Sequence, residues 1–364
     1  MLPGFGEGKD VTYYFRTQFT VPKGEKADIK SLVGVLEYDD PATIYLNGTE
    51  IYEGKENGRD TGTQHAEVLL FDSDEVLNLL QEGANTVAVA MRDKKQEEHD
   101  GWFHLNLAPH DGTQEKLDHT SIWTYLDNDT DPAGTPGMEG YERTSWTEAG
   151  FDDSIWSKGI APFGYQNSHK SSVYKNVNPP EVGATELKFK GSDGKNNVHA
   201  YFFRTDLYIE DLDKVGSLNG WISCDDAAIV YINGVKVFEW TRDAINGNLD
   251  YAYGPAGNPS PTAFKVTDLA DLNLKQGSNV VAIELHQDRE DGGDIWLDFT
   301  LESSEEQVEH LSNIVMNPGP DETQMYFTWY ADVEKNGYVA LAKYDRGTCF
   351  IPFGALERSG KEWS

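Results

Sequence analysis

The sequence predicts an all-β protein that contains two tandem β-sandwiches followed by a partial immunoglobulin-like unit. Apolar and polar residues alternate over runs of about five to eight positions, which is the period of a half-buried strand. An Asn-Gly pair lies between two such runs at 47–48 and again at 233–234, and this pair favours the type I′ turn of a tight hairpin. Helical periodicity is nearly absent apart from a possible helical turn at 73–80. Many short strands without alternating helices are typical of a sandwich.

The two hairpins belong to an internal repeat. "DDPATIYLNGTEIYEG" at 39–54 matches "DDAAIVYINGVKVFEW" at 225–240. Flanking blocks match as well, namely 14–21 with 202–209, 79–91 with 273–285, and 101–107 with 294–301. The offset changes from pair to pair because insertions collect in loops while strands keep their register. The chain therefore contains two copies of one domain, which we place at 1–112 and 113–304.

The second copy begins with an opening segment, residues 121–166, that the first copy lacks. This segment contains a strand pattern, a Pro/Gly-rich loop, and the motifs "FDDSIW" and "APFGYQ". Only "PGFGEG" at 3–8 precedes the first copy, and it resembles the last of these motifs. The opening strand of the first copy is therefore expected either to lie upstream of residue 1 or to be absent. If it is absent, an exposed sheet edge results, and such edges pair with neighbours.

The pattern changes after a polar linker at 301–312. Residues 313–344 give three short strand signals and no counterpart of the repeated block that carries the Asn-Gly hairpin. We interpret 305–364 as the opening strands of an immunoglobulin-like unit that ends before a full sandwich can close.

Net charge narrows the choice of partners. Thirty basic and 62 acidic side chains give a formal charge of -32, which repels phosphate backbones and anionic lipid headgroups. We therefore expect no nucleic-acid or membrane partner. No apolar run approaches the roughly 18 residues that cross a bilayer, and the N-terminal residues lack a charged-then-apolar leader. Either the chain is cytosolic or its export signal lies outside this chain. We favour the second and expect a monomeric, extracellular region. Cys224 and Cys349 fall in different predicted domains, so no disulfide framework is expected, and Cys224 is expected to be buried.

The two copies resemble the galactose-binding-like jelly-roll domains that accompany secreted bacterial glycan-degrading and phosphatase enzymes. The residues that carry the resemblance are "YLDNDTDP", "FDDSIW", "APFGY", "FFRT", "DDAAIVYINGVKVF" and "QGSNVVAIELHQ". They span nearly the whole second copy, and the first copy matches everywhere except in the opening segment. The resemblance implies two jelly-roll sandwiches, a fold that hosts sugar binding, protein docking and pure spacing.

The C-terminal stretch "NIVMNPGPDETQMYFTWYAD" is similar to the start of the fibronectin-type-III-like N-terminal domain of purple acid phosphatases. In that family the domain precedes a dinuclear-metal phosphoesterase. The metal motifs of the family, of the kind GDxH, GDxxY and GNHE, are missing from this sequence. The resemblance thus implies a parent enzyme and assigns no phosphatase chemistry to this stretch.

Three carboxylates form a candidate metal site. Asp127, Asp129 and Asp131 alternate in the loop after the strand pattern "IWTYL". Oxygen ligands at alternate positions suit Ca²⁺, and the resemblance also implies that jelly-roll binding modules hold a structural calcium near such a loop. The glycine and distal glutamate of an EF-hand are missing, and ordinary Asx turns are the alternative.

An aromatic-rich insertion at 239–261 gives a candidate ligand site in the second copy. Sugar binding combines an aromatic platform with polar groups that hydrogen-bond to hydroxyls. The insertion supplies both kinds of group, which are Trp240, Arg242, Asn246, Tyr251 and Tyr253. The counterpart in the first copy contains no aromatic residue. The alternative is that these aromatic side chains cover the edge of the sandwich.

No catalytic residue is assigned. The pairs Asp39–Asp40 and Asp225–Asp226 precede the two hairpins, but adjacent residues on a strand point to opposite faces, whereas a catalytic carboxylate pair faces across a cleft. Asp152 and Asp153 are interpreted as a turn or helix cap with Trp156 packed inside.

Two arginines recur at equivalent strand positions. Arg16 and Arg204 are expected to form structural ion pairs, because a buried arginine needs a partner. The expected partners are the acidic pair that precedes the hairpin of the same copy.

These observations favour a non-catalytic, extracellular carbohydrate-binding or adhesion region of a larger secreted bacterial enzyme, with a glycan or cell-surface polysaccharide as partner and calcium as the only expected cofactor. Two alternatives stay open. The chain is part of a purple-acid-phosphatase-like metallophosphoesterase whose catalytic domain lies elsewhere, or it is a structural spacer that binds nothing.

Overall fold

The protein is all-β, as the sequence predicts. The computed structural model describes residues 11–38, 40–54, 65–93, 103–118, 120–165, 185–255, 261–305, 311–318 and 325–331. Within this part of the chain, one short helix, α1 (Asp74–Leu77), lies at the predicted helical turn. The other helical pieces are single 3₁₀ turns at Lys26–Asp28, Ser145–Thr147, Leu212–Lys214 and Ala270–Leu272. None of the described helices has the length and apolar character needed to cross a membrane.

The first sandwich has two antiparallel sheets. Its strands are β1 (Val11–Val21), β2 (Ser31–Tyr38), β3 (Ala42–Leu46), β4 (Thr49–Glu53), β5 (His65–Phe71), β6 (Gly83–Asp93) and β7 (Phe103–His110). One sheet has the order β1-β6-β3-β4, and the other has the order β5-β2-β7. Apolar side chains from both sheets form one core, which includes Leu36, Ile44, Leu46 and Val89. Alternation of apolar and polar residues produces this arrangement, because every second side chain of a strand faces the core.

The second sandwich repeats this plan with more strands. They are β8 (Lys116–Leu117), β9 (Ile122–Leu126), β10 (Ser157–Ile160), β11 (Phe163–Gly164), β12 (Thr185–Glu186), β13 (Ala200–Ile209), β14 (Val215–Asp225), β15 (Ala227–Ile232), β16 (Val235–Trp240), β17 (Thr262–Val266), β18 (Gly277–His286) and β19 (Trp296–Glu305). One sheet has the order β10-β9-β13-β18-β15-β16, and the facing sheet has the order β12-β11-β19-β14-β17. Their core includes Phe203, Val230, Ile283 and Phe299.

The repeated hairpin has the predicted turn in both copies. Asn47 and Gly48 have φ values of 50° and 88°, and Asn233 and Gly234 have values of 47° and 87°. Each asparagine also ties its hairpin to the neighbouring strand. The Asn47 side chain accepts a hydrogen bond from the Thr86 amide at 2.8 Å and donates to the Leu79 carbonyl at 2.8 Å. The hairpin is therefore a structural element that holds the sheet in register.

Asn233 makes the equivalent contacts in the second copy. Its side chain accepts from the Val280 amide at 2.9 Å and donates to the Leu272 carbonyl at 3.0 Å. A buried asparagine, Asn279, accepts from the half-buried Asn233 side chain at 3.0 Å. Asn85 accepts from Asn47 in the same way at 2.8 Å.

The two sandwiches differ on one surface, which we call the outer face: the side of the hairpin-bearing sheet that points away from its own core. In the second sandwich the opening segment covers the outer face. Its Trp146 and Trp156 pack with Phe202, Ile229 and Tyr231 in a separate apolar cluster. Strand β15 is consequently buried along its whole length, whereas only alternate residues of β3 are buried.

The cover of the second outer face also contains buried charges. Arg143 of the opening segment donates two hydrogen bonds of 2.8 Å to the Glu284 carboxylate, which is fully buried. The Tyr231 hydroxyl donates to the same carboxylate at 2.9 Å. Burial opposes ionisation of Glu284, but His286 and Arg143 lower its pKa below the usual value. The ion pair keeps this carboxylate charged in the sheet interior.

The chain divides into two units, Met1–Glu305 and Glu306–Ser364. In the second unit, β20 (Leu311–Pro318) and β21 (Met325–Ala331) form an antiparallel pair. They correspond to the first two of the three predicted strand signals, and the third lies outside the described residues, as does Cys349. The domain boundaries at 112/113 and 304/305 stay predictions.

Candidate functional site

A cavity of 320 Å³ lies at the end of the second sandwich where β14, β16 and β18 finish. Three segments form it: the link between β14 and β15, the loop after β16, and the loop between β18 and β19. The residues that line it are Asp225, Asp226, Arg242, Tyr253, Gly254, Pro255, Asp288, Arg289, Gly293 and Asp294. Acidic, cationic and aromatic side chains thus converge on one concave surface.

The Asp225–Asp226 link connects the two facing sheets. Its peptide bond is cis, and both carboxyl groups line the cavity. Asp225 is the last residue of β14 and Asp226 lies between β14 and β15, so the two residues are not neighbours within one strand. The Asp226 carboxylate also accepts a hydrogen bond from the Asp288 amide at 2.8 Å. Asp226 therefore fixes the β18–β19 loop to the strand link.

Asp225 and Asp226 both have raised pKa values. Asp225 is buried, with 3% of its surface exposed. Burial raises the pKa of Asp225 well above its usual range, and the neighbouring carboxylates Asp226, Asp294 and Asp288 raise it further. Burial also raises the pKa of Asp226, although less. The pair consequently favours holding a proton, so that one carboxyl group can donate a hydrogen bond while the other accepts one.

The opposite wall of the cavity pairs a guanidinium group with an aromatic ring. The Arg242 guanidinium carbon lies 4.6 Å from the centroid of the Tyr253 ring, within the range of a cation–π contact. The Arg242 amide donates to the Tyr253 carbonyl at 3.1 Å, and the Tyr253 amide donates to the Asp243 carboxylate at 2.8 Å. These bonds close the loop on itself and hold the ring at the cavity mouth, where Tyr253 is 39% exposed.

Arg242 and Tyr253 are the two predicted ligand residues that the cavity brings together. The other three lie outside its lining. Trp240 packs against the sandwich core, as the alternative interpretation of the insertion predicts for this residue. The Asn246 side chain is exposed, and its backbone amide donates to the Asp250 carboxylate at 2.9 Å. Tyr251 stacks on His199, with ring centroids 4.5 Å apart.

Each carboxylate of the predicted calcium loop has a separate protein partner. Asp127 accepts from the Lys188 amide at 2.9 Å, and Asp129 accepts from the His199 amide at 2.9 Å. Asp131 accepts from the Asn248 side chain at 2.7 Å. Within the described residues, no group of three His, Cys, Asp or Glu side chains is placed to hold a metal ion. Calcium at this loop stays a prediction.

The predicted partner of Arg204 was wrong. Its guanidinium Nε donates to the Asp153 carboxylate at 2.8 Å, and Nη1 donates to the backbone carbonyls of Trp146 and Glu148. Asp225 lies at the far end of its strand and takes no part in this contact. The opening segment thus supplies the charge that Arg204 needs, a pairing that sequence order does not reveal.

Sequence reasoning missed two acids of the cavity, Asp288 and Asp294. Both lie in "DREDGGD", the acid-rich loop between β18 and β19. Burial raises the pKa of Asp294, and repulsion from Asp288 adds to this effect. The sequence signal that could have found them is the high density of acidic residues in this short loop. In the fold, the loop lies at the same end of the sandwich as the Asp225–Asp226 pair.

A larger cavity of 660 Å³ lies at the opposite end of the second sandwich. Lys116 and Asp118 in its lining form an ion pair of 2.8 Å, and both side chains are partly exposed. These two charged groups pair with each other at the surface, in contrast to the buried acid pair of the smaller cavity. We therefore take the smaller cavity as the candidate site.

No family model matches the chain, and no curated protein matches it. Solved structures with a similar arrangement include a beta-glucuronidase from an uncultured Clostridium species, with 12% identity and a TM-score of 0.28, covering 61% of this chain and 34% of that chain. A lectin from Pleurotus ostreatus in complex with GalNAc has 17% identity and a TM-score of 0.23, covering 83% of this chain and 75% of the lectin.

A glycosyl hydrolase family 2 member from Bacteroides cellulosilyticus has 13% identity and a TM-score of 0.27, covering 56% of this chain and 23% of that chain. The present chain therefore spans about a third of the length of the glucuronidase and about a quarter of that hydrolase. At such identities and scores, these structures support no conclusion about activity.

Proposed function

We propose that this chain is a non-catalytic carbohydrate-binding region and that its glycan site is the cavity between Tyr253 and the Asp225–Asp226 pair. The observation that carries the proposal is the convergence of a partly exposed aromatic ring, a guanidinium group and a buried acid pair on one concave surface. Its volume of 320 Å³ is at the lower end of the range for small-ligand pockets. One sugar unit is the natural occupant of such a space.

The chemistry of the lining suits a hydroxyl-rich ligand. A sugar hydroxyl both donates and accepts hydrogen bonds, and the cavity offers both kinds of partner: the acid pair Asp225–Asp226 can accept and, when it holds a proton, donate, and Arg242 donates. The exposed surface of the Tyr253 ring provides an apolar platform for the C–H face of a sugar. Binding of this kind needs no reacting group, so the site requires only shape and hydrogen bonding.

The charge of the lining selects among sugars. Four carboxyl groups, of Asp225, Asp226, Asp288 and Asp294, face two guanidinium groups. One of these, Arg289, already binds the Asp291 carboxylate at 3.0 Å. Since the cavity keeps a negative balance, we expect it to favour neutral or amino sugars and to disfavour uronic acids.

Glycan retention by the intact chain and by three variants tests the proposal. Tyr253→Ala and Arg242→Ala should each weaken retention by about tenfold, because each removes one of the two side chains that form the wall opposite the acid pair. Asn246→Ala is the matched control, since its exposed side chain belongs to the same loop but lies outside the lining. Arrays of neutral, amino and uronic glycans provide the readout. Equal retention by all variants, or no retention of any glycan, contradicts the proposal.

The wider setting rests on the sequence resemblance. We propose that the region acts as an extracellular monomer within a larger secreted bacterial enzyme of the purple acid phosphatase type. The C-terminal strands β20 and β21 lie in the stretch that carries this resemblance. Turnover of p-nitrophenyl phosphate with added divalent metal should be absent for this chain. Measurable turnover would instead favour the alternative that phosphatase activity belongs to it.

A further inference from the structure

The loop after β16 carries the cavity wall that Arg242 and Tyr253 form. We call its described residues, 241–255, the wall loop, and they contain no regular strand or helix. An irregular loop of this length has many conformations available to it, and ordering it during binding would reduce affinity. A binding wall on such a loop therefore needs contacts that hold it in place before a ligand binds.

Asn248 ties the wall loop to the opening segment. It lies between Arg242 and Tyr253 in the sequence, and its side chain is buried, with 1% of the residue exposed. The side-chain amide donates to the Asp131 carboxylate at 2.7 Å and to the Arg143 carbonyl at 2.9 Å. Both acceptors belong to the opening segment, so one buried side chain joins two irregular stretches of the chain.

Asp131 is itself fixed within the opening segment. Its carboxylate accepts a hydrogen bond from the Ala133 amide at 2.8 Å and another from the Tyr141 hydroxyl at 2.9 Å. Together with the bond from Asn248, these contacts use both carboxylate oxygens. Asp131 is therefore a rigid acceptor to which the wall loop can attach.

Two further contacts attach the wall loop to the end of β18. His286 Nδ1 donates to the Asp250 carbonyl at 2.7 Å, since a carbonyl oxygen can only accept. The Ala252 amide donates to the Gln287 carbonyl at 2.9 Å. His286 and Gln287 are both fully buried. The sheet thus holds the part of the loop next to the cavity, and Asn248 holds its middle to the opening segment.

We propose that Asn248 and Asp131 are positioning residues of the candidate site, because their hydrogen bond holds the wall loop with Arg242 and Tyr253 facing the acid pair before a ligand binds. The consequence for glycan binding rests on the proposed function. Neither Asn248 nor Asp131 lines the cavity, so both act through the loop. The opening segment, which covers the outer face of the sheet, thereby also sets the shape of the cavity.

Hydrogen exchange of the chain without ligand tests the positioning role directly. Asn248→Ala and Asp131→Ala should each speed amide exchange across residues 241–255 by about tenfold, because the loop loses its tie to the opening segment. Asp131→Asn should leave the exchange unchanged, since its side-chain oxygen still accepts from Asn248. Glu139→Ala is the matched control, because Glu139 is an exposed acid of the same segment, and it should exchange like the unchanged chain.

Retention on arrays of neutral and amino glycans measures the consequence for binding. Asn248→Ala and Asp131→Ala should each weaken retention by about tenfold, because the loop must then be ordered by the ligand. Asp131→Asn should retain glycan like the unchanged chain. Full retention by Asn248→Ala overturns the inference. If the unchanged chain retains no glycan, the proposed function fails, and the exchange experiment alone decides the positioning role.

Three exchange results would also overturn the inference. Unchanged exchange of residues 241–255 in Asn248→Ala would show that the tie does not order the wall loop. An equal increase along β14 would show that Asn248 stabilises the sandwich as a whole. Equal effects of Asp131→Asn and Asp131→Ala would show that the charge of the carboxylate matters, as it would for a bound cation, and not its ability to accept a hydrogen bond.

Discussion

The two sandwiches share one strand plan but differ in how their hairpin-bearing sheets are used. In the first sandwich the sheet buries one side, and β3 alternates between buried and half-exposed residues. In the second the sheet buries both sides, and every residue of β15 is buried. The sequences record this difference, because "ATIYL" in β3 alternates whereas "AAIVYI" in β15 is nearly all apolar, as expected for a strand covered on both faces.

The two sandwiches share a set of common elements, here called the frame, and differ in the segments attached to it. The Asn-Gly hairpin and its side-chain ties recur in both copies, so they belong to the frame. Among the described residues, the opening segment and the loop after β16 are found only in the second copy. The opening segment covers a sheet, and the loop after β16 forms one wall of the acidic cavity. Differences in function between the copies therefore lie in the loops and not in the strands.

The largest expected effect concerns the covered and uncovered faces themselves. Trp146→Ala should lower the free energy of unfolding of the second sandwich by about 3–5 kcal/mol, because it empties a fully buried site. Tyr14→Ala should change the free energy of unfolding of the first sandwich by no more than about 0.5 kcal/mol. Urea unfolding measures both, with fluorescence of the second-copy tryptophans and far-UV circular dichroism as probes. Similar losses for both variants would mean that the first face is also covered.

The asparagines of the hairpins should behave alike in the two copies. Asn47→Ala and Asn233→Ala should each cost about 2–3 kcal/mol, because each removes several hydrogen bonds and places alanine at a positive φ. The glycine variants are the matched controls, since glycine tolerates the backbone angle and reports the hydrogen bonds alone. The denaturation midpoint of each sandwich is the readout. A large cost in only one copy would show that the hairpin is not part of a shared frame.

The fold was predictable where the determining signals are local. An Asn-Gly pair between alternating runs is sufficient to define the hairpins, and the sequence repeat then places the matching strands. The ion pair of Arg204 was not predictable, because its partner Asp153 lies 51 positions away and the connection runs through an irregular loop. No sequence period describes how such a loop returns to a sheet.

The candidate site was predictable only in part, for a related reason. Tyr251 and Tyr253 are two positions apart in a loop without regular structure, and only Tyr253 lines the cavity. On a strand, residues with this spacing would share a face. The prediction that Tyr251 and Tyr253 belong to one site therefore does not hold for this irregular loop. The role of Asp225 depends on burial and on acids from another loop, neither of which is visible in the local sequence.

The smallest expected effect concerns the acidic cavity, the second feature that distinguishes the two sandwiches. Asp225→Asn should stabilise the second sandwich by about 1–3 kcal/mol at pH 8. The raised pKa means that folded Asp225 keeps its proton, whereas unfolded Asp225 loses it near pH 4. Between the pKa of unfolded Asp225 and its raised pKa in the folded state, the folded state binds more protons than the unfolded state. The free energy of unfolding of the unchanged chain therefore falls as the pH rises through this range.

The gain in free energy of unfolding that Asp225→Asn gives over the unchanged chain should therefore vanish as the pH falls towards 4 and increase as the pH rises towards 8. Urea unfolding at several pH values measures it. Asp268→Asn is the matched control, because Asp268 is an exposed acid of the same sandwich, and this variant should show no such trend. If Asp225→Asn instead destabilises the sandwich at pH 8, the ionised carboxylate is needed there. The buried pair would then act as a charged anchor for the strand link rather than as a proton-holding wall of the cavity.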